Sequence, residues 1–194
     1  MIIVGVGCGP DMLTMQAAKV IYNAKRIAGS ERALALAEEF IPEDCRIYVL
    51  RDYFKLEEFP EDTVVLSTGD PMLAGLRAEG AEYMPGISSL QVAFARLRLP
   101  LESVSIVSAH GKNHHAKALT DAVKEAKRGK NVFLLADPAF DLPALAKALL
   151  DKEIDCRLAV CQDLGYEEES IEVGTPASPP PVSSKMFAVI IGKW

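Results

Sequence analysis

The sequence predicts an α/β protein of two domains, with a mainly parallel sheet in the first domain and a mixed sheet in the second. Short apolar runs alternate with segments of helical periodicity along most of the chain, as in sheets whose parallel strands are joined by helices. Near the end, two strand-like runs, "SIEVGTPA" and "MFAVIIGKW", follow each other without a helical segment between them. This change of pattern predicts an antiparallel finish to the second sheet.

The first domain is predicted to comprise residues 1–109. Residues 2–6 form a continuous apolar run followed by a glycine-rich turn, which is typical of a buried strand. Thr14 is a candidate cap for a helix over residues 13–24, and Ser30 precedes a helix that extends to residue 40. Further strands are predicted at "RIAGS", "RIYVL", "TVVLSTGD" and "SVSIVSAH", an extended segment at "AEYMPGISS", and helices at residues 73–79 and 90–97.

The segment "GKNHH" marks the predicted domain boundary, and residues 110–194 form the second domain. A helix is predicted over residues 116–128. A second helix over residues 141–152 begins with Asp141 and Pro143, a combination that favours a helix start. Strands are predicted at residues 131–136 and 157–162, ahead of the two final strands.

The composition excludes several classes of protein. Hydrophobic residues make up 49% of the 194 residues and charged residues 25%, which is typical of a globular protein. No apolar run approaches the roughly 20 residues of a membrane span, and "MIIVGVG" lacks the basic region of a signal peptide, so we predict a cytoplasmic location. A net charge of −6 argues against a general nucleic-acid binder. The 4 cysteines form no C-x-x-C pair, so neither a zinc site nor a disulfide framework is predicted.

The stretch "LSTGDPM", residues 66–72, is the strongest candidate for a binding loop. It follows a buried apolar run, and α/β proteins bind their ligands at the carboxyl ends of strands. Gly69 permits close approach of the backbone, Asp70 supplies a carboxylate, and Pro71 restricts the loop. This set suits hydroxyl, amine or ammonium groups better than phosphates. The alternative is a plain turn in which Asp70 accepts hydrogen bonds from its own backbone.

Other candidate sites are less specific. The glycines after the first strand miss the dinucleotide fingerprint, because a G-x-G-x-x-G match needs glycine at Pro10 or Met12, and no P-loop motif is present. Ser88 and Ser89 lie at a predicted helix start, where free N–H groups suit a carboxylate, although a serine there also serves as a plain cap. The cluster of histidines in "HGKNHHAK" lacks partner ligands for a metal, so no metal site is predicted. It is a candidate anion-binding region or a solvated loop.

Five segments together identify a resemblance to a known family. They are "IIVGVGCGPDMLT", "LSTGDPMLAGL", "PGISSLQVAFARLRLP", "VSAHGK" and "DLGYEEESIEVGT", which resemble the tetrapyrrole methylase family in content and order. Within that family, the segment from "GISSLQ" to "SAHGK" is most similar to the cobalt-precorrin-7 C5-methyltransferases of anaerobic cobalamin biosynthesis. The similarity is to their stand-alone form, without the C15-methylating and decarboxylating half.

The resemblance implies a homodimer that binds S-adenosylmethionine in a cleft between two α/β domains and methylates carbon 5 of a cobalt-corrinoid tetrapyrrole. The donor contacts that it implies are Gly69, Asp70, Met72, Leu73, Ser88, Ser89, Leu135, Ala136 and Leu164. The glycine loop with Gly7, Gly9 and Pro10 is expected to face the substrate. Arg77 and Lys112 are candidate partners for the substrate carboxylates, and His110 is the candidate base if a proton has to be removed.

Three alternatives stay open at this point. The first is methylation of another tetrapyrrole position, and the second is a ribosomal RNA or diphthamide branch of the superfamily, which the acidic charge balance disfavours. The third is a non-catalytic nucleotide-binding module that uses the same loop. An association with the C15 methyltransferase is also possible for the enzyme.

Overall fold

The computed structural model describes residues 1–53, 55–73, 76–110 and 114–194. The chain divides into two compact units, Met1–Ser89 and Leu90–Trp194. This division lies earlier than the predicted boundary after residue 109. The reason is that the strand Val104–Ser108, which the sequence assigned to the first domain, pairs with Asn131–Leu135 in the second sheet.

The first unit is a parallel five-stranded sheet with two helices. Its strands are β1 (Ile2–Gly5), β2 (Arg26–Gly29), β3 (Arg46–Val49), β4 (Val64–Ser67) and β5 (Glu82–Met84), and its helices are α1 (Met15–Tyr22) and α2 (Glu31–Ala37). The strand order is β3-β2-β4-β1-β5, with every neighbouring pair parallel. The predicted parallel sheet is confirmed, and β1 and β4 occupy interior positions as their continuous apolar sequences require.

The two predicted helix caps of this unit are present. The Thr14 hydroxyl accepts a hydrogen bond from the Ala17 N–H at 3.1 Å, and the Ser30 hydroxyl accepts one from the Ala33 N–H at 3.2 Å. Both residues have extended backbones, as N-cap residues do. The second helix therefore begins directly after Ser30, as predicted, whereas the first begins at Met15, two residues after the start of the predicted range of 13–24.

Each face of the first sheet packs against a different set of connections. Val4 belongs to an apolar cluster that includes Ala17 of α1 and Ala33 of α2. Ile3, which points to the opposite face, clusters with Leu56 from the β3–β4 connection. Two connections, β1 to β2 and β2 to β3, run toward the β3 edge of the sheet. The other two, β3 to β4 and β4 to β5, run toward the β5 edge. Right-handed crossovers in opposite directions lie on opposite faces, which accounts for the two clusters.

The predicted helix over residues 73–79 is wrong. Leu73 lies in a turn and residues 76–78 have no regular structure, while residues 74 and 75 lie outside the described residues. The Leu76 N–H donates to the Pro71 carbonyl at 2.9 Å, and the Ala78 N–H donates to the Tyr83 hydroxyl at 2.9 Å. These non-helical partners outweigh the helix propensity of "LAGLRAE", which is a weak determinant by itself.

The second unit contains the mixed sheet. Its helices are α3 (Ser89–Leu97), whose first residue still belongs to the first unit, α4 (His115–Lys127) and α5 (Leu142–Asp151). Its strands are β6 (Val104–Ser108), β7 (Asn131–Leu135), β8 (Arg157–Gln162), β9 (Ser170–Gly174) and β10 (Phe187–Gly192), in the order β6-β7-β10-β8-β9. β9 and β10 both pair antiparallel with β8, which confirms the predicted antiparallel finish.

The core of the second unit lies between its sheet and the helices α4 and α5. Leu134 and Val189 from the sheet share one cluster with Ala122 of α4 and Leu145 of α5, all fully buried. The helix α5 begins after Asp141, whose carboxylate accepts the Ala144 N–H at 2.9 Å, as predicted. None of the helices in the described ranges is long and apolar enough to span a membrane.

Candidate functional site

Three loops lie at the carboxyl edge of the first sheet. They are the β1 loop (residues 6–14), the β4 loop (residues 68–73) and the β5 turn (residues 85–88). Because β4, β1 and β5 are adjacent and parallel, these loops leave the sheet side by side. This is the position at which open α/β sheets bind ligands.

The β1 loop and the β4 loop are joined by two backbone hydrogen bonds. The Gly69 N–H donates to the Gly7 carbonyl at 2.6 Å, and the Gly7 N–H donates to the Gly69 carbonyl at 3.4 Å. Both residues have a positive φ, +86° at Gly7 and +68° at Gly69. Glycine adopts this conformation without steric penalty, so the residue type at both positions follows from the backbone.

The β5 turn is packed against the β4 loop and the end of β1 without any intervening side chain. A Cβ atom built on Gly86 would lie 2.2 Å from the Gly69 carbonyl oxygen, and one built on Gly5 would lie 2.5 Å from the Gly86 nitrogen. The sequence predicts a turn at Gly86 but no contact between Gly5 and Gly86. The only local signal is the Pro85-Gly86 dipeptide, because the contact itself depends on the pairing of β1 with β5.

Asp70 accepts hydrogen bonds from two of the loops. Its Oδ1 accepts the N–H groups of Met72, at 2.8 Å, and of Leu73, at 3.3 Å. Its Oδ2 accepts the Gly86 N–H at 3.1 Å. The plain-turn interpretation therefore accounts for two of these three hydrogen bonds, because Asp70 accepts both from its own loop. The bond to the β5 turn is an addition that the sequence did not reveal.

Further polar side chains fix the neighbouring strand ends. The Tyr53 hydroxyl accepts the Ser30 N–H and donates to the Leu66 carbonyl, both at 3.0 Å. The Arg32 guanidinium donates to the Thr68 hydroxyl at 2.9 Å, which places a cation beside the β4 loop. Arg32 is not predictable as a site residue, because nothing in the α2 pattern distinguishes it from a solvated arginine.

The remaining predicted residues of the first unit differ in exposure. Gly7, Gly9 and Ser88 are buried, with Ser88 only 4% exposed. Ser89, the first residue of α3, is half-buried. The exposed residues are Pro10 and Arg77. Gly7 and Ser88 thus lie in the loops at the sheet edge, and Arg77 lies in the irregular segment after the β4 loop.

A second group of predicted residues lies at one edge of the second sheet. β10 is antiparallel to both β7 and β8, and β6 is parallel to β7, so β6, β7 and β8 end at the same edge. His110 follows β6, Leu135 and Ala136 lie at the end of β7, and Leu164 follows β8. His110 is exposed and Leu135 is half-buried, whereas Ala136 and Leu164 are buried.

The segment that carries Leu164 is held by Glu169. One carboxylate oxygen of Glu169 accepts the Arg96 Nε–H at 2.6 Å and the other accepts the Gly165 N–H at 2.7 Å. Partial burial alone would raise the pKa of Glu169, but these hydrogen bonds and the arginine charge outweigh it and lower the pKa below the usual 4.5. Glu169 is therefore an ionised anchor between α3 and the segment after β8.

The predicted cationic region is described only in part. Lys112 lies outside the described residues. His114 is exposed, while the His115 Nε2 lies 3.4 Å from an Asp137 carboxylate oxygen and its ring packs edge-on against Phe140. Within residues 1–53, 55–73, 76–110 and 114–194, no group of three or more His, Cys, Asp or Glu side chains could hold a metal ion.

Comparison with known proteins identifies the family. Residues 50–179 match the family model for tetrapyrrole (corrin/porphyrin) methylases. The chain belongs to this family. The matched region extends from the residue after β3 to the loop after β9, so this tetrapyrrole methylase contains family sequence in both of its units. The resemblance drawn from the five sequence segments is confirmed.

Two relatives are similar over most of their length. The chain is 34% identical to a probable cobalt-precorrin-7 C(5)-methyltransferase of Methanocaldococcus jannaschii, with 88% of this chain and 87% of that protein covered. It is 31% identical to the crystal structure of a cobalamin biosynthesis precorrin-6Y methylase, CbiE, from Archaeoglobus fulgidus. That structural match has a TM-score of 0.75 and covers 100% of this chain and 98% of the other.

More distant structures show the same fold. The methyltransferase CobJ matches with a TM-score of 0.79 at 17% identity, covering 98% of this chain and 92% of its own. The cobalt precorrin-4 methyltransferase CbiF matches with a TM-score of 0.73 at 19% identity, covering 98% and 94%. These two structures therefore share the fold of this chain.

The β4 loop of this tetrapyrrole methylase leaves the backbone of Gly69 accessible. A Cβ atom on Gly69 would meet nothing closer than the Ser88 Cα at 3.9 Å and the Cys8 Cβ at 4.0 Å. A ligand atom can therefore lie against the Gly69 backbone. Met72, next in the loop, is 52% exposed and offers apolar surface for a nucleoside. The residues present fit S-adenosylmethionine, the donor that the family implies.

Proposed function

We propose that this chain is an S-adenosylmethionine-dependent methyltransferase that methylates carbon 5 of cobalt-precorrin-7 in cobalamin biosynthesis. The observation that carries the proposal is the 34% identity, over 88% of the chain, to the probable cobalt-precorrin-7 C(5)-methyltransferase. Three adjacent loops at the carboxyl edge of the first sheet support it, because they lie where open α/β sheets bind ligands and include the accessible backbone of Gly69.

When bound, S-adenosylmethionine supplies a methyl group activated by its sulfonium. In the first unit we propose that the donor is held by the backbone of the β4 loop, from Gly69 to Leu73, and by Ser88 and Ser89. In the second unit Leu135, Ala136 and Leu164 are the proposed contacts. Backbone groups fixed by the Gly7–Gly69 bridge cost little further ordering when a ligand binds.

The other proposed site residues bind the substrate and align it with the methyl donor. Alignment of two reactants can lower a barrier by roughly 7–11 kcal/mol, so this reaction needs no covalent intermediate with the protein. We propose that Gly7, Gly9 and Pro10 face the tetrapyrrole and that Arg77 and Lys112 bind its carboxylates. His110 is the proposed acceptor of a proton from the substrate, and its exposure leaves its imidazole accessible.

Turnover of defined substrates tests the proposal. The purified chain, S-adenosylmethionine and cobalt-precorrin-7 are combined, and the methylated carbon is located by NMR. A new methyl group at carbon 5 is expected. Methylation at another carbon would favour the second candidate, a different tetrapyrrole position. Donor binding without any turnover would favour the non-catalytic module.

The cationic residues have a separate test. Replacement of His110 and Lys112 together by alanine is expected to weaken corrinoid binding more than binding of S-adenosylhomocysteine, since the substrate carries the carboxylates. Equal affinities for both ligands in the variant and the wild type would contradict this role.

The oligomeric state and the partner of the enzyme are also proposals. A homodimer and an association with the C15 methyltransferase rest on the family resemblance. Analytical ultracentrifugation of the chain alone and with the C15 enzyme tests both, with a dimer mass and a mixed complex as the expected results. A cytoplasmic location stays a prediction.

A further inference from the structure

We propose that Asp70 is a positioning residue and not a ligand of the methyl donor: its carboxylate fastens the β4 loop to the β5 turn and acts on the donor through the backbone that it holds. This inference rests on the proposed function, because it concerns how the proposed donor loop is shaped. It replaces the direct donor contact that the family resemblance assigned to Asp70.

The hydrogen-bond geometry of Asp70 supports this role. A carboxylate has about four acceptor positions, and three backbone N–H groups use Asp70: those of Met72 at 2.8 Å, Leu73 at 3.3 Å and Gly86 at 3.1 Å. The first two bonds belong to the β4 loop and the third belongs to the β5 turn. Bonds from N–H groups to an ionised carboxylate are stronger than neutral ones, so Asp70 holds both segments.

The packing around Gly86 makes its hydrogen bond to Asp70 difficult to replace. Gly86 is buried and lies against the Gly69 carbonyl, so its N–H has little access to water once Asp70 is replaced. Ser88, a proposed donor contact, lies two residues further along the same turn and is 4% exposed. A change at Asp70 is therefore transmitted to two proposed contacts, Leu73 on one loop and Ser88 on the other.

Ligand analogues distinguish positioning from direct contact. A residue that touches one polar group of the donor loses its effect when that group is missing from the probe. A positioning residue weakens every probe by the same factor. The probes are S-adenosylhomocysteine, its 2′,3′-dideoxy analogue, S-inosylhomocysteine and 5′-methylthioadenosine, which remove the ribose hydroxyls, the adenine amino group and the amino acid in turn.

The variants are Asp70→Asn and Asp70→Ala, with Asp44→Asn as a matched control. Asparagine retains one oxygen for Met72 and Leu73 but offers an amino group toward the Gly86 N–H, where an acceptor is needed. Asp44 is exposed in a turn, so its replacement removes the same charge without these contacts. Calorimetry is expected to give about tenfold weaker binding for Asp70→Asn and about a hundredfold for Asp70→Ala, by the same factor for each probe.

A measurement without ligand separates this inference from the proposed function. Amide hydrogen exchange followed by NMR is expected to accelerate about tenfold at Gly86 in Asp70→Asn, and at both Met72 and Gly86 in Asp70→Ala, with no change in Asp44→Asn. Unchanged exchange at Gly86 in both Asp70 variants overturns the inference. So does an affinity loss that vanishes for one probe, because Asp70 then contacts the missing group. If the wild type binds no probe, the proposed function fails, while the exchange rates still decide whether Asp70 joins the two segments.

Discussion

Gly86→Ala is the substitution whose cost can be worked out most directly from the structure. The added Cβ would lie 2.2 Å from the Gly69 oxygen, 2.7 Å from the Gly5 carbonyl carbon and 2.8 Å from the Gly5 Cα. All three are backbone atoms, so no side chain can rotate away. Atoms in ordinary contact lie about 3.5 Å apart, and the β5 turn therefore has to move by roughly 1 Å.

The expected destabilisation has two sources. Overpacking of this kind costs about 1–3 kcal/mol. Movement of the turn also weakens the bond from the Gly86 N–H to Asp70, and hydrogen bonds to charged groups contribute about 1.5–3 kcal/mol. Because Gly86 lacks a positive φ, backbone strain adds nothing. We expect a loss of about 3–5 kcal/mol in the free energy of unfolding, together with lost binding of S-adenosylhomocysteine.

Gly80→Ala is the matched control, and urea denaturation is the assay. Gly80 has a φ of +69°, and a Cβ added there would have no atom within 4 Å, so alanine incurs strain without a clash. That strain costs about 1–2 kcal/mol. If Gly86→Ala destabilises the protein no more than Gly80→Ala, the β5 turn does not form the side-chain-free contact with Gly69 and Gly5, and the prediction is refuted.

Three further predictions concern other positions. Gly69→Val is expected to abolish S-adenosylhomocysteine binding in calorimetry, because a β-branched residue at φ +68° distorts the β4 loop. Gly80→Val, at a similar φ of +69°, should leave binding intact. An equal loss of binding in both variants would contradict the placement of the donor against the β4 loop. The lowered pKa of Glu169 stabilises the fold above about pH 4.5, and this contribution is lost as the pH falls through the folded-state pKa. Glu169→Gln should therefore lower Tm at neutral pH, and the difference from the wild type should shrink as the pH is lowered into the acid range. A difference that stays constant with pH would disprove the ionised anchor. Asp141→Ala should cost about 1 kcal/mol in denaturant unfolding through loss of the α5 cap, whereas Asp151→Ala at the other end should cost less.

Local signals in the sequence predicted most of the elements. Thr14, Ser30 and Asp141 start their helices because a cap bonds to a backbone N–H three residues along, so the information lies within one turn. The buried strands β1 and β4 are continuous apolar runs that need no tertiary context to be recognised. The helix predicted over residues 73–79 failed because Tyr83 and Pro71 bind the backbone groups that a helix would use.

The position of the candidate loop was predictable from the sequence, but its contacts with the rest of the first unit were not. The loop with Gly69 and Asp70 stands out because glycine, carboxylate and proline follow a strand. Its contacts with Gly86 and Gly5 depend on which strands are neighbours, and strand order is not encoded in any short motif. The same limit explains the domain boundary, since the membership of β6 follows from its pairing with β7.

The strand order of the first unit also has a consequence for synthesis on the ribosome. β1 is made first of the five strands, yet its two neighbours are β4 and β5, which end at Ser67 and Met84. At about 5–20 residues per second, the apolar strand Ile2–Gly5 waits on the order of 4–16 s before both partners have been synthesised. During that interval its unpaired edges and side chains are open to wrong partners, so a chaperone that shields the nascent segment would raise the yield of folded protein.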